Sequence, residues 1–175
     1  MVRVKRFFVI LISLAVCYLL QMIVFPSVPF LIAVPNMMLI EVVSAGFLYG
    51  KAVGLAVGAV SGLLLDILGS GIPGFYTLIL SWLGYADGFL SEKMESELIF
   101  VLFLLMIVNE VLYHTYVFAL AFMIHRSFSF GPYLKEVFFP EVLLTLVCFL
   151  VVYGFLIFIS KRWDLKVNKG EVRVV

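Results

Sequence analysis

The sequence consists of long apolar runs that are separated by short clusters of polar, glycine and proline residues. A helix that crosses a bilayer needs roughly 20 mostly apolar residues, within a range of about 17–25. Six runs fit that length and predict membrane-spanning helices, at about 7–25, 30–49, 52–68, 72–90, 98–123 and 138–160. Together they predict an all-α integral membrane protein with one six-helix domain over residues 1–160 and a short cytoplasmic tail at 161–175.

The second run is the least regular of the six. Pro26, Pro29 and Pro35 interrupt the approach to it, and proline removes a backbone N–H and disrupts helix interiors. Asn36 follows Pro35 directly, and asparagine is a favoured N-cap residue. We therefore expect the regular part of this helix to begin near residue 36, with Pro35 and Asn36 shaping the turn before it.

The overall composition supports a membrane protein. The 175 residues are 65% hydrophobic and 13% charged, whereas soluble domains are about half apolar and about a quarter charged. No basic run with interleaved aromatic residues lies outside the apolar runs, which argues against nucleic-acid binding. Cys17 and Cys148 lie inside apolar runs and lack a metal-binding spacing, so we interpret them as small buried hydrophobic side chains.

The distribution of lysine and arginine predicts the orientation. An even number of spans places both termini on one side of the membrane, and an excess of basic residues marks the cytoplasmic side. Arg126 and Lys135 are the two basic residues on the opposite side. The ten on the side of the termini are Arg3, Lys5, Arg6, Lys51, Lys93, Lys161, Arg162, Lys166, Lys169 and Arg173. This bias predicts that both termini are cytoplasmic.

The third run carries a glycine at every fourth position, in the stretch GKAVGLAVGAVSGLLLD. These residues are Gly50, Gly54, Gly58 and Gly62. Small residues at this spacing let helix backbones approach closely in lipid, where van der Waals contact drives association. Two interpretations remain open: the glycine face packs inside the six-helix bundle, or it binds the membrane helix of a partner.

Asp66 stands at the next step of four after Gly62 and precedes the turn LGSGIPG, which contains Gly71 and Gly74. A carboxylate at the centre of a bilayer costs a few kcal/mol, but one near a helix end reaches the interface. It can also accept backbone N–H groups at the start of the next helix, where an anion is favoured. We therefore expect Asp66 to stabilise this turn.

Several other polar residues interrupt the apolar runs: Glu41, Asp87, Asn109, Glu110, His114 and Glu141. Glu110 and His114 are four residues apart and share one helix face. With Glu41 and Asn109 they form a candidate polar pocket, for which a ligand, a proton relay and a purely structural hydrogen-bonded pair are the alternatives. A metal site needs a further ligand that the sequence does not identify, so we predict neither a metal nor a cofactor.

No enzyme signature is present. The chain contains neither a G-x-S-x-G nucleophile motif nor an H-E-x-x-H metal motif. The connections between the apolar runs are short, so no catalytic domain is expected outside the membrane. We therefore predict that the protein is not an enzyme.

The order of these features resembles the MreD family, the membrane proteins of the bacterial rod-shape system. The resemblance begins at Pro35 and Asn36 and continues through GLLLDILGSGIPGFYTLILSWLGYADG at 62–88. Its most specific part is GxxxGxxxGLLLDxLxxGxxG, followed by the pair Gly84 and Tyr85. Asn36 departs from the family, which commonly has aspartate there, and this weakens any role for a charge at that position.

The resemblance implies a non-enzymatic scaffold in the bacterial plasma membrane. Proteins of this family associate with MreC and work with MreB, RodA and a class B penicillin-binding protein in lateral peptidoglycan synthesis. The implied contacts with MreB and the two synthesis enzymes are indirect. Membrane lipid is a further expected partner, and formation of a homo-oligomer is left open.

The family fold is also similar to the six-helix substrate-binding subunits of energy-coupling-factor vitamin transporters. A subunit of that class is therefore the alternative function. Such subunits typically carry an AxxxA pair in the first span for docking to the coupling subunit. Here the first span offers Ser13 and Cys17 at that spacing, which argues against transport.

Overall fold

The computed structural model describes residues 2–29, 31–67, 73–93, 99–125 and 130–162, and the regular elements in these ranges are all helical. Gly71, Arg126 and residues 163–175 lie outside them. The helices are α1 (Val2–Leu19), α2 (Met37–Tyr49), α3 (Lys51–Leu65), α4 (Phe75–Lys93), α5 (Ile99–His125), α6 (Phe130–Tyr133) and α7 (Phe139–Arg162). A π turn at Leu20–Val24 and a 3-10 turn at Phe25–Ser27 extend α1, and a π turn at Leu134–Phe138 joins α6 to α7.

Helix α2 forms the centre of the protein. All of its residues from Met37 to Tyr49 are buried, and it contacts α1, α3, α4, α5 and α7. A helix that is apolar on every face is typical of such a buried position. Thirteen residues give a length of about 20 Å, which is shorter than the roughly 30 Å hydrocarbon core of a bilayer.

The start of α2 follows from local chemistry. Asn36 is the N-cap, and its Oδ1 accepts a hydrogen bond of 3.2 Å from the Leu39 N–H. The Asn36 N–H donates to Thr145 Oγ1 of α7 at 2.9 Å. Residues 31–35 are not helical, so the predicted run at 30–49 is a helix only over its last thirteen residues.

Three helical stretches are long and apolar enough to cross a membrane in the described part of the chain: Lys5–Ser27, Phe100–Leu120 and Gly131–Ile159. The sequence predicted six runs of that kind. Two of the other helices, α2 and α3, are apolar but shorter than the predicted runs. Helix α4 is not among the stretches that are both long enough and apolar enough to cross a membrane. Large apolar side chains on α1, α5 and α7 point outward, as expected for surfaces that face lipid.

Helices α2 and α3 form a hairpin that turns at a single residue, Gly50. Its φ of +90° lies in the region that favours glycine. The Gly50 N–H donates to the Gly46 carbonyl at 2.8 Å, and the Gly54 N–H donates to the Gly50 carbonyl at 3.0 Å. The hairpin packs against α4, and the contact between α3 and α4 is the most extensive between any two helices in the described ranges.

Candidate functional site

The glycine stripe of α3, which consists of Gly54, Gly58 and Gly62, lies against α4 of the same chain. A Cβ atom on Gly54 would overlap the backbone of Gly84, and one on Gly58 would overlap the backbone of Leu80. A Cβ atom on Gly62 would likewise overlap the backbone of Thr77. This face is therefore occupied inside the bundle and is not available to a partner helix.

The glycines of α4 complete this contact. Gly84 and Gly88 are four residues apart, and a Cβ atom on either would overlap the backbone of the α2–α3 hairpin, at Gly54 and at Lys51 respectively. Gly46 of α2 also faces Gly84, since its Cβ atom would lie 2.7 Å from the Gly84 carbonyl oxygen. The spacing of Gly84 and Gly88 is the sequence signal that identifies α4 as the partner of the stripe.

Asp66 binds the start of α4. Its Oδ2 accepts hydrogen bonds from the N–H groups of Gly74 at 2.9 Å and Thr77 at 3.1 Å, and from the Thr77 hydroxyl at 2.5 Å. Its Oδ1 accepts from the Tyr76 N–H at 2.7 Å. Gly74, at φ +89°, precedes the helix. Burial raises the pKa of Asp66, but the bonds from Thr77, Tyr76 and Gly74 outweigh burial and hold the pKa below its ordinary value.

Glu41 lies in the middle of α2 and links it to α1. Its Oε1 accepts a hydrogen bond of 2.6 Å from Ser13 Oγ, and its Oε2 lies 3.8 Å from Cys17 Sγ. One turn beyond Cys17, Gln21 Oε1 accepts from the Met38 N–H at 2.9 Å. Sequence reasoning missed Ser13 and Gln21 as partners, because nothing in their spacing indicates which helix faces α1.

Asn109 joins α5 to α4. Its Nδ2 donates to Asp87 Oδ1 at 2.9 Å and to the Leu105 carbonyl at 2.9 Å. Both side chains are buried. Asp87 Oδ2 has no hydrogen-bond partner among the residues that the structure describes. This pair holds two helices together and is separate from the contacts of Glu41.

Glu110 and His114 belong to a third group, which links α5 to the segment of α6 and α7. His114 Nε2 lies 3.3 Å from Glu110 Oε2 and 3.8 Å from Glu141 Oε1. His114 Nδ1 is 2.9 Å from the Tyr133 hydroxyl. The predicted pocket therefore divides into three polar contacts on different helix pairs, and Glu110 and His114 are the two predicted members that face each other.

No metal centre is apparent in the described ranges, where no group of three or more His, Cys, Asp or Glu side chains has an arrangement that could hold a metal ion. This applies also to the cluster around His114. Cys17 and Cys148 are free thiols.

An open apolar groove of about 570 Å³ runs between α1 and α7. Six of the side chains that line it are Phe8, Ile12 and Val16 of α1 and Val151, Phe155 and Ile159 of α7. Ser13 and Cys17 also line it, so the groove lies over the contact between α1 and Glu41. Sequence reasoning missed the groove, because separation of two helices leaves no signal in either of them.

Comparison with protein families matches residues 2–162 to the family described as rod shape-determining protein MreD. The chain belongs to the MreD family. Members of this family are membrane proteins that determine rod shape, and the family is part of the rod-shape complex with MreC. The match covers every helix described above.

Comparison with curated proteins and with solved structures finds no match for the chain. The likeness to the substrate-binding subunits of energy-coupling-factor transporters, expected from the resemblance, therefore receives no support. The alternative transport function is likewise unsupported.

Proposed function

We propose that this MreD-family protein is a scaffold of the cell-elongation complex that binds the membrane helix of MreC in the groove between α1 and α7. The observation that carries the proposal is the position of the two candidate helix-binding surfaces. The glycine stripe is covered by α4, whereas the groove is open on the outside of the bundle. Through this contact the protein supports lateral peptidoglycan synthesis without catalysing a reaction.

The groove has the properties that favour helix binding in lipid. Lipid chains are as apolar as leucine, so helices associate there through close packing and small residues. Ser13 and Cys17 line the groove on the α1 side. On the α7 side the lining residue Val151 is 71% exposed, so this wall of the groove is open to a partner helix.

The proposal includes a topology. The long helices lie in the bacterial plasma membrane with both termini cytoplasmic, as the excess of lysine and arginine on that side favours. Helix α2 is enclosed by its neighbours, and the non-helical segment before it completes the crossing. MreB, RodA and a class B penicillin-binding protein are reached indirectly through the complex. No cofactor takes part.

Val151→Trp tests the contact with MreC. Val151 lines the groove and is 71% exposed, so the larger side chain leaves the bundle folded but fills space that a partner helix would need. We expect co-purification of MreC in gentle detergent to fall by about tenfold, which corresponds to roughly 1.4 kcal/mol. Cells that depend on the variant should lose rod shape.

Val147→Trp is the matched control, because Val147 is 63% exposed on the same helix but does not line the groove. It should retain MreC. A photoreactive residue at Phe155 should cross-link to MreC, and one at the exposed Phe100 of α5 should not. Unchanged recovery of MreC with Val151→Trp, together with cross-links from Phe100 alone, would refute the groove as the binding site.

A further inference from the structure

The cluster of Glu110, His114 and Glu141 brings three titratable groups from two helices together. The imidazole of His114 contacts both carboxyl groups through the same nitrogen, Nε2, at 3.3 Å and 3.8 Å. Its other nitrogen contacts the Tyr133 hydroxyl at 2.9 Å, which fixes the orientation of the ring. The cluster is a polar contact between α5 and the α6–α7 segment.

Burial sets the chemistry of this cluster. Glu110 is 0% exposed and His114 is 3% exposed. Neither oxygen of Glu110, nor Nε2 of His114, has a hydrogen-bond partner among the described residues. A buried carboxylate without a donor is strongly destabilising, so the group holds a proton or pairs with a cation. The side chain of Glu141 is 20% exposed and gives the cluster contact with solvent.

Within the described ranges of the chain, the groups around the cluster supply no compensating charge. The titratable side chains that face the cluster are Tyr76 of α4, Tyr113 of α5 and Tyr133 of α6, with Asp66 acting on Tyr76. Tyrosines are neutral near pH 7. Among the residues that the structure describes, neither Glu110 nor Glu141 has a lysine or arginine within ion-pair distance.

The number of protons follows from this arrangement. Two carboxylates and one imidazolium carry a net charge of −1, which an apolar interior disfavours. The cluster becomes neutral when it holds a proton on His114 and a second proton on one of the two carboxyl groups.

We propose that Glu110, His114 and Glu141 form a proton-binding site that fastens α5 to α7 when it holds two protons. Loss of the second proton, through the partly exposed Glu141, leaves an uncompensated charge and weakens this contact. Helix α7 also forms one wall of the groove, so protonation of the cluster controls how firmly that wall is held. The site thus couples the packing of the bundle to the local proton concentration.

The first test is the pH dependence of unfolding of the purified full chain in detergent, from about pH 5 to about pH 9. With two protons at the cluster, the folded chain holds about one more proton than the unfolded chain below about pH 6.5 and about two more above it. Stability therefore falls as pH rises, by up to about tenfold in the folding equilibrium constant per pH unit in the lower range and up to about a hundredfold in the upper range. We expect Glu110→Gln and Glu141→Gln to reduce this dependence, because glutamine is neutral throughout. Glu136→Gln, an exposed change on the same segment, should keep the wild-type dependence.

The second test is infrared spectroscopy of the carboxylic acid carbonyl stretch over the same pH range. This measurement detects protonated carboxyl groups directly in the wild-type chain. Glu41→Gln, Asp66→Asn and Asp87→Asn identify the signals of the other three buried acids. We expect a titrating signal that survives in these three variants and is lost in Glu141→Gln. Absence of that signal, or equal pH dependence of unfolding in wild type and Glu141→Gln, would overturn the proposal even if Glu110→Gln failed to fold.

Discussion

Gly54 of α3 and Gly84 of α4 pack backbone against backbone, and each occupies the space that a Cβ atom of the other would need. The contact continues at Gly58 against Leu80 and at Gly62 against Thr77, so the two helices run antiparallel along the whole stripe. Small residues therefore act here as they do at helix interfaces in lipid generally. Their partner is the next helix of the same chain.

Gly54→Ala should destabilise the bundle. The added methyl group would overlap the backbone of Gly84, which cannot move without separating α3 from α4. Overpacking of a tight core typically costs about 1–3 kcal/mol. We expect a loss of about 3 kcal/mol in the free energy of unfolding, because the neighbouring atoms belong to the backbone. Thermal unfolding in a fixed detergent measures the change.

Gly154→Ala is the matched control for that change, because a Cβ atom on Gly154 meets nothing within 4 Å. Replacing an exposed helical glycine by alanine favours the helix by up to about 1 kcal/mol. The two substitutions should therefore have effects of opposite sign. A loss of stability with Gly154→Ala equal to that with Gly54→Ala would contradict the packing seen between α3 and α4.

Much of the fold could be predicted from local patterns. The glycine spacing of α3, the cap at Asn36 and the turn after Asp66 are short-range features, and the structure places each in a local contact. Helix lengths were less predictable. Apolar composition does not distinguish a helix that faces lipid from one enclosed by protein, so α2 looked long enough to span the membrane by itself.

The pairing of polar residues could not be predicted, because it depends on which helices are neighbours. Glu41 faces Ser13, Asn109 faces Asp87, and Glu110 faces His114. Only the last pair lies on one helix, and only that pair was apparent from spacing. The proximity of Glu141 to His114 requires the α6–α7 segment to pack against α5, which no local pattern indicates.

Asp66→Asn should weaken the connection between α3 and α4. Asp66 is 1% exposed and accepts four hydrogen bonds from the start of α4. Hydrogen bonds to a charged acceptor are stronger than those to a neutral one. Asparagine at position 66 would also direct an NH₂ donor at some of the N–H and O–H groups that Asp66 now accepts from. We expect a loss of about 2–3 kcal/mol in unfolding experiments, whereas Thr77→Val, which removes one hydroxyl donor, should lose about 1 kcal/mol.

The pH dependence of unfolding provides a second measurement on Asp66. Its pKa in the folded chain lies below the ordinary value, so its contribution to stability is fully present above the unfolded pKa. That contribution is lost as pH falls through the folded pKa. Wild type should therefore lose more stability than Asp66→Asn on acidification, and an equal loss would show that the carboxylate does not hold this turn.

Ser13→Ala should be more harmful than removal of the acid that Ser13 contacts. The substitution leaves Glu41 Oε1 without its donor at 2.6 Å, and a buried acceptor that loses its partner costs about 1–3 kcal/mol. In Glu41→Leu the Ser13 hydroxyl keeps its bond to the Ile10 carbonyl at 3.1 Å. Leucine at position 41 also leaves no carboxyl group that must be desolvated or hydrogen-bonded.

A double-mutant cycle measures this coupling. Ser13→Ala combined with Glu41→Leu should be about as stable as Glu41→Leu alone. In the Glu41→Leu background the Ser13 hydroxyl has no carboxyl group to which it can donate a hydrogen bond. The coupling energy should be about 1–3 kcal/mol. Additive effects of the two substitutions would mean that Ser13 does not stabilise Glu41 in the membrane.

Asn109→Asp should make the folded state dependent on an additional proton. Asn109 Nδ2 and Asp87 Oδ1 are 2.9 Å apart in a buried contact between α4 and α5, and two carboxylates cannot both ionise at that distance. The folded variant then binds one more proton than the unfolded chain. Its stability should fall as pH rises, by up to about 1.4 kcal/mol per pH unit, in thermal unfolding measured against wild type.

The exchanged pair Asp87→Asn with Asn109→Asp restores one amide and one carboxyl group, and should recover the wild-type pH dependence. If the exchanged pair behaved like Asn109→Asp alone, the contact between these two side chains would not be what determines the effect.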